Sequence, residues 1–264
     1  MQPLAEFPLA ARQAIRIVLS DIDDTLTTAG RLPASSLAAL EALNEAGFIV
    51  IPVTGRPAGW CDHIARMWPV HAVVGENGAL YFSYDHEQRK MRSAYAKTEQ
   101  QRQQDRARLE QLREHILATV PGAGVASDQA YRIADLAIDF CEDVPALPAQ
   151  DVARIVELFQ QAGATAKVSS IHVNGWFGDY DKLGMTRRCL RELFAIELNA
   201  QDERAVFIGD SPNDAPMFAF FAHSVGVANV RDFELATPPH WVTRQKSAAG
   251  FCELAELLLQ SRAE

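Results

Sequence analysis

The chain has 264 residues, of which 48% are hydrophobic and 22% charged, a globular composition long enough for one core plus an insertion. Its 25 Lys and Arg against 34 Asp and Glu give a formal charge of −9. That balance argues against a general nucleic-acid or anionic-membrane binder, since either needs a basic surface. An anionic substrate would need a local positive site, supplied by a metal or a few placed cations. No run approaches the ~18 apolar residues of a membrane span, and MQPLAEFPLAARQ lacks the basic start and apolar stretch of a signal peptide. Cys61, Cys141, Cys189 and Cys252 form no CxxC pair and read as reduced cytoplasmic thiols. Neither GxxxxGK[ST] nor GxGxxG occurs.

In chain order, Ile17, Val18 and Leu19, with Ile15 upstream, predict a strand buried on both faces, as in a parallel sheet. The run stops at Asp21, and Asp23 and Asp24 follow. Three carboxyl groups at the end of a buried strand repel one another and are costly to desolvate. A hard cation such as magnesium would hold them; an Asp-rich turn is the competing reading. Ser35 or Ser36 is expected to cap a helix with Leu37, Leu40 and Leu43 on one side, stopping at Gly47. A second apolar strand, 48–53, ends in Thr54-Gly55-Arg56-Pro57. A hydroxyl, a flexible backbone and a guanidinium suit phosphate oxygens, although a plain Gly-Pro turn has the same composition. A helix over 60–68 and a strand over 71–75 follow. Glu76-Asn77-Gly78-Ala79 is a hairpin turn signal, with a returning strand over 80–82.

Residues 85–98 read as polar and irregular, and 99–120 as a charged helix with Leu109, Leu112, Ile116 and Val120 on one side. Strands over 133–140 and 165–173 alternate in polarity, so each is expected to be half exposed, with a helix over 152–161 between them. In the second, the phase slips at Ser169-Ser170, which reads as a bulge. The slip leaves Lys167, Ser169, His172 and Asn174 on one polar face, matched by Asp135 and Asp139 on the partner strand. The continuous apolar pattern then resumes. A helix over 183–198 opens at Lys182, and a strand over 205–208 ends in Gly209-Asp210-Ser211-Pro212-Asn213-Asp214. A helix begins near Pro216, short strands cover 224–227 and 241–243, and a helix covers 248–259. The expected fold is α/β, a Rossmann-like parallel-sheet core of residues 1–84 and 182–264 with an inserted α+β cap of residues 85–181.

Taken singly, Lys182 also fits a solvated helix position and Asp210 a helix cap. Taken in order, Asp21-Ile22-Asp23-Asp24-Thr25, Thr54-Gly55-Arg56, Lys182 and Gly209-Asp210-Ser211-Pro212-Asn213-Asp214 closely resemble the haloacid dehalogenase superfamily, mostly phosphatases. An insertion between the second and third motifs, and the Glu76-Asn77-Gly78-Ala79 turn, match its large-cap branch, subfamily IIB. That branch includes Cof-like sugar phosphatases, sucrose-phosphate phosphatase and mannosyl-3-phosphoglycerate phosphatase. Lys182-Leu183 departs from the common Lys-Gly pairing.

The resemblance implies Mg2+-dependent hydrolysis of a small phosphorylated metabolite, a sugar phosphate or glycosyl-phosphoglycerate. Asp21 would attack phosphorus and form an aspartyl-phosphate, and Asp23 would serve as general acid and base. Magnesium would be held by Asp21, the Asp23 carbonyl and Asp210, with Asp214 behind them. Lys182 would neutralise charge, and Thr54, Gly55, Lys182 and Asn213 would hold phosphoryl oxygens. Arg56, Glu76 and Asn77 from the core, and Lys167, His172, Asp135 and Asp139 from the cap, are the candidate readers of the leaving group. A phosphosugar mutase on the same scaffold stays open. A receiver-like signalling module is disfavoured because Asp21 and Asp23 share one strand end, and a non-catalytic binding protein because every motif residue is present. The only partner expected is a small phosphorylated substrate, with no nucleic acid and no membrane; the sequence leaves the oligomeric state open.

Overall fold

The structure is a computed structural model that describes residues 1–169 and 171–263. In chain order its elements are β1 (Gln2–Pro3), α1 (Leu9–Ala14), β2 (Ile17–Ser20), α2 (Ala34–Glu45), β3 (Ile49–Pro52), α3 (Ala58–Met67), β4 (Val73–Gly75), β5 (Leu80–Asp85) and β6 (Lys90–Tyr95). Then come α4 (Glu99–Thr119), β7 (Gly124–Val125), β8 (Asp135–Asp139), α5 (Ala149–Gln161), β9 (Thr165–Val168) and β10 (His172–Trp176). The chain closes with α6 (Lys182–Phe194), β11 (Ala205–Gly209), α7 (Ala215–Phe220), β12 (His223–Gly226), β13 (Trp241–Val242) and α8 (Ser247–Ala263). Among the described residues no helix is long and apolar enough to cross a membrane.

The continuous apolar runs become a parallel sheet in the order β1-β13-β12-β11-β2-β3. Successive residues of a strand face opposite sides, so both sides need cover. Val18, Val50 and Val206 join a core with Leu40, Ile64 and Phe251 of α2, α3 and α8. Ile17, Leu19, Ile51 and Phe207 join a second core with Met185, Leu190 and Phe218 of α6 and α7. The register Ser20↔Ile208 and Ser20↔Pro52 brings β2, β11 and β3 to an end together. Asp21, Asp210 and Thr54 therefore leave the sheet along one carboxyl-end edge, where open α/β sheets bind ligands.

Two details of α2 differ from expectation. The helix starts after Pro33 with no side-chain cap, and Ser36 instead donates its hydroxyl to Leu26 O at 2.8 Å. Leu37 is exposed while Ser36, Leu40 and Leu43 are buried, because the 36-40-43 spacing is the one that stays on a single face. α6 stops at Phe194, before 198, as Ala195 turns left-handed at φ 55°.

Residues 85–98 are not irregular. β6 pairs with β5 from Leu80↔Tyr95 to Asp85↔Lys90, and β4 joins this hairpin to the core edge through Val53↔Val74. An outer strand facing water carries polar residues, which hides it from a hydrophobicity reading. Asp85 builds the turn by accepting the Glu87 and Gln88 N–H groups. On this pairing we propose that the inserted cap begins after Tyr95.

The cap is an antiparallel sheet, β7-β8-β10-β9, with α4 and α5 burying Leu112, Ile116, Ile155 and Phe159 against Leu136, Ile138 and Val173. The single strand expected over 165–173 is two strands. Lys167 pairs with Asn174 and Val168 with Val173, so the phase slip marks a chain reversal and not a bulge; its second residue, Ser170, lies outside the described residues. Ser169 closes the reversal by donating its N–H to His172 O at 2.8 Å and accepting the His172 N–H on its hydroxyl at 3.0 Å. Nor are β8 and β10 half exposed: both are buried throughout, while the edge strand β9 is open and the other edge strand, β7, is partly buried.

The turn after β4 is pressed onto the entrance to α6. Gly78 has φ +102°, and a Cβ there would lie 2.0 Å from Asp181 O. Gly78→Ala is expected to lower stability by more than about 1 kcal/mol, since both the backbone and the space exclude a side chain. Urea unfolding midpoints check this.

Candidate active site

Asp21 follows β2 directly and is buried, its N–H donating to Ile208 O at 2.9 Å. Lys182, at the first position of α6, reaches the same point. Its Nζ donates to Asp21 Oδ1 at 2.7 Å and to Asp214 Oδ1 at 3.0 Å. Asp181 fixes that helix start by accepting the Gly184 N–H at 2.6 Å. Asp214 Oδ2 accepts the Asp210 N–H at 3.1 Å. Gly209 makes this approach possible: a Cβ would sit 2.4 Å from Asp214 Oδ2.

Carboxylate oxygens of Asp21, Asp210 and Asp214 lie within 4.8 Å of one another. One ammonium does not balance three buried carboxylates. Burial pushes Asp21 up to about 7; Lys182 opposes that rise, and repulsion from Asp214 and Asp23 adds to it. Burial pushes Asp210 up to about 9, with Asp214 and Asp21 as the next causes. Burial alone would lower Lys182, but Asp21 and Asp214 hold it above its ordinary value, so it stays charged. An oxygen-only donor set with surplus negative charge fits a hard divalent cation.

Asp23 lies on the open side of this cluster, gripped by Arg56. Nη2 donates to Oδ1 at 2.7 Å and Nε contacts both carboxylate oxygens at 3.0 Å. The Arg56 guanidinium also lies 4.5 Å from the centre of the Trp60 ring. Thr54 is buried and its hydroxyl accepts the Arg56 N–H at 3.0 Å, shaping the loop. Asn77, left-handed at φ 54°, lies against Gly55, where a Cβ would come 3.1 Å from its Oδ1.

A cleft of about 440 Å³ opens between core and cap. It brings together Asp21, Asp23, Gly55, Arg56, Asn77, Lys182, Asp210 and Asn213 from the core with Lys167, His172 and Asn174 from the cap. Thr54 and Asp214 stand behind it. Lys167 has no ion-pair partner among the described residues, whereas Glu142 Oε2 lies 2.8 Å from His172 Nε2 but outside hydrogen-bond alignment.

Three of the candidate leaving-group readers do not line the cleft. Asp139 is fully buried and accepts the N–H groups of Cys141, Glu142 and Asp143 at 2.8–2.9 Å, closing the loop after β8. Asp135 pairs with Arg132 at 3.1 Å and accepts from Asn174 at 3.1 Å. Glu76 is fully buried and accepts only backbone N–H groups. Asp135 and Asp139 share a sheet face with His172 and Asn174, but other groups of the protein already occupy all three carboxylates. Arg132 does line the cleft and escaped the sequence reading; its one signal was an Arg flanked by Asp128 and Asp135 in a polar loop.

A parallel α/β core with this acidic strand-end cluster, a lysine and an inserted cap defines a capped α/β protein with a carboxylate site at its strand ends. The sequence profile of haloacid dehalogenase-like hydrolases matches residues 18–122 and 189–252, and the chain belongs to that family. A protein of Thermoplasma acidophilum, 0175, superposes with TM-score 0.67 at 19% identity, over 92% of this chain and 99% of that one. The sucrose-phosphatase of Synechocystis sp. PCC6803, solved with sucrose and phosphate, gives 0.62 at 16% identity, over 92% and 97%. The HAD subclass IIB sugar phosphatase BT4131 gives 0.62 at 14% identity, over 91% and 98%. No curated protein matches the sequence.

Proposed function

We propose that the protein is a Mg2+-dependent phosphomonoesterase acting on a small phosphorylated metabolite, a sugar phosphate being the favoured class, in the cytoplasm. The observation that carries this reading is Asp21 within 2.7 Å of Lys182, beside Asp210 and Asp214, at the floor of a cleft roofed by a polar cap face. The sugar phosphatases among the structural neighbours support the substrate class. Bound magnesium, held by Asp21, Asp210 and the Asp23 carbonyl with Asp214 behind, would offset the charge of the phosphoryl dianion. Lys182 adds a fixed positive charge and keeps Asp21 aimed. Asp21 then attacks phosphorus to form an aspartyl-phosphate. Asp23, held in one orientation by the Arg56 fork, protonates the leaving alkoxide and later takes a proton from water. Gly55 and Asn213 supply the donors that line the phosphoryl site.

The leaving group faces Lys167, His172 and Asn174. Lys167→Ala and His172→Ala are expected to reduce kcat/KM for the best sugar phosphate by about tenfold or more, and that for a small aryl phosphate much less, because the latter is too short to reach the cap. A phosphate-release screen over sugar phosphates, phosphoglycerate derivatives and nucleotides identifies the substrate. Release of inorganic phosphate supports hydrolysis; an isomeric sugar phosphate as product would make the enzyme a mutase. Equal loss on both substrate types would remove the cap face from substrate reading.

A further inference from the structure

Core and cap are joined beside the Thr54–Arg56 loop by two buried side chains that reach across in opposite directions. From the core, Glu76 Oε1 accepts the N–H of Ala58, at the start of α3, at 2.9 Å and that of Ile133 at 2.8 Å. Its Oε2 accepts the N–H groups of Ala134 at 2.6 Å and Asp135 at 3.3 Å. From the cap, Arg132 Nη1 donates to Gly55 O at 3.1 Å. Inside the cap the same Nη1 donates to Asp135 at 3.1 Å, while Nε and Nη2 donate to Asp128 at 3.0 and 3.2 Å. Between them Tyr131 rests on Gly59, where a Cβ would come 2.9 Å from the Tyr131 Cβ.

The residue types follow from the donors. Four backbone N–H groups converge on one side chain, and only a carboxylate offers two oxygens with no donor of its own. A glutamine there would turn an NH2 group toward two of those donors. Arg132 supplies the complement, since its planar fork can serve two carboxylates and a carbonyl together.

β8 begins at Asp135, directly after the clasped segment. It pairs with β10 through Asn174↔Ala137 and His172↔Asp139, and β10 pairs with β9 through Asn174↔Lys167. His172 and Lys167, which line the cleft with Asp21, therefore sit on the sheet whose strand β8 begins at the segment held by Glu76 and Arg132. Building on the phosphatase reading, we propose that Glu76 and Arg132 are positioning residues, an interdomain clasp that fixes the cap face over the cleft and thereby sets selectivity for the leaving group. Neither acts as a substrate ligand.

The test uses the full-length protein with Mg2+ and two variants, Glu76→Gln and Arg132→Lys. Amide hydrogen exchange at Ile133, Ala134 and Asp135 is read against Val18 and Val206 of the core sheet, alongside kinetics on the best sugar phosphate and on p-nitrophenyl phosphate. In Glu76→Gln, exchange at Ala134 and Asp135 should quicken by about tenfold or more relative to the core amides. In both variants, kcat/KM should fall several-fold further, on the order of tenfold, for the sugar phosphate than for the aryl phosphate. Arg132→Lys keeps the charge but cannot span both aspartates and Gly55 O, so it reads the same clasp if Glu76→Gln does not fold. Unchanged exchange at 133–135 in a folded Glu76→Gln, or equal proportional loss on both substrates, overturns the proposal. A wild-type protein that hydrolyses no phosphate ester overturns the phosphatase reading instead, and the exchange measurement then judges the clasp by itself.

Discussion

Asp21→Asn is expected to abolish turnover and the phosphoenzyme together, while Asp23→Asn slows formation and breakdown of that intermediate without removing it. Asp21 is the buried carboxylate whose Oδ1 meets Lys182 at 2.7 Å. An amide keeps its shape but has no anionic oxygen to attack phosphorus, so the loss should exceed the ~10²–10⁴-fold typical of removing a general acid or base. Asp23 sits farther out, in the Arg56 fork, and its loss should stay within that range. It should also shrink on an aryl phosphate, whose phenolate leaves without a proton. Rapid-quench labelling with radioactive phosphate ester separates the two. A labelled phosphoenzyme persisting in Asp21→Asn would falsify the assignment of the nucleophile. The same substitution removes one carboxylate from a crowded group, so Asp21→Asn should melt higher than wild type in chelator, the usual cost of a site built for reactivity.

The site was legible because its geometry is a consequence of the sheet. Strands buried on both faces are written as unbroken apolar runs, and parallel strands end on a common edge. Asp21, Thr54 and Asp210 follow three such runs, so their convergence was fixed by the fold class. Lys182 was harder, since helix-opening lysines are common, and only the ordered set of motifs singled it out.

What stayed hidden has physical reasons. β6 is an outer strand with water on one side, so its polarity resembled a loop. The reversal between β9 and β10 uses a serine hydroxyl where Gly, Asn or Pro would have been the signal. Alternation in β8 correctly put Asp135 and Asp139 on one face with His172, but periodicity does not tell whether a polar face meets water or other protein groups. Glu76 was placed near the cleft by its neighbours Asn77 and Gly78, yet three of its four partners lie at residues 133–135, a distance in sequence that no local pattern spans.

Stability in the absence of divalent cations is expected to fall as pH rises from about 4 toward about 9, and magnesium should cancel most of that fall. The two groups concerned are Asp21, raised from 3.8 to about 7, and Asp210, raised from 3.8 to about 9. Between the unfolded and folded values, the folded chain keeps protons that the unfolded chain has already lost. Stability therefore decreases with pH across this window, the contribution being complete below the unfolded value and gone above the folded one. One unit of difference corresponds to about 1.4 kcal/mol, and the two raised carboxyl groups act in the same direction. A cation bound among the carboxylates reverses their preference, so the rise in Tm on adding Mg2+ should be small near pH 5 and grow toward pH 8–9. Glu76 is also raised to about 7 by burial, but it lies outside the acidic cluster, so its share of the slope should persist in magnesium. Asp210→Asn should flatten the chelator curve and remove most of the Mg2+ response. Activity adds a second test. Chelator should abolish it and Mg2+ restore it, whereas Ca2+ should recover much of the Tm but little of the rate, because its larger, looser oxygen shell misplaces Asp21 for attack. A Mg2+-induced shift in Tm that stays flat from pH 5 to 9, or full activity in excess chelator, would show that Asp21, Asp210 and Asp214 do not hold a catalytic cation.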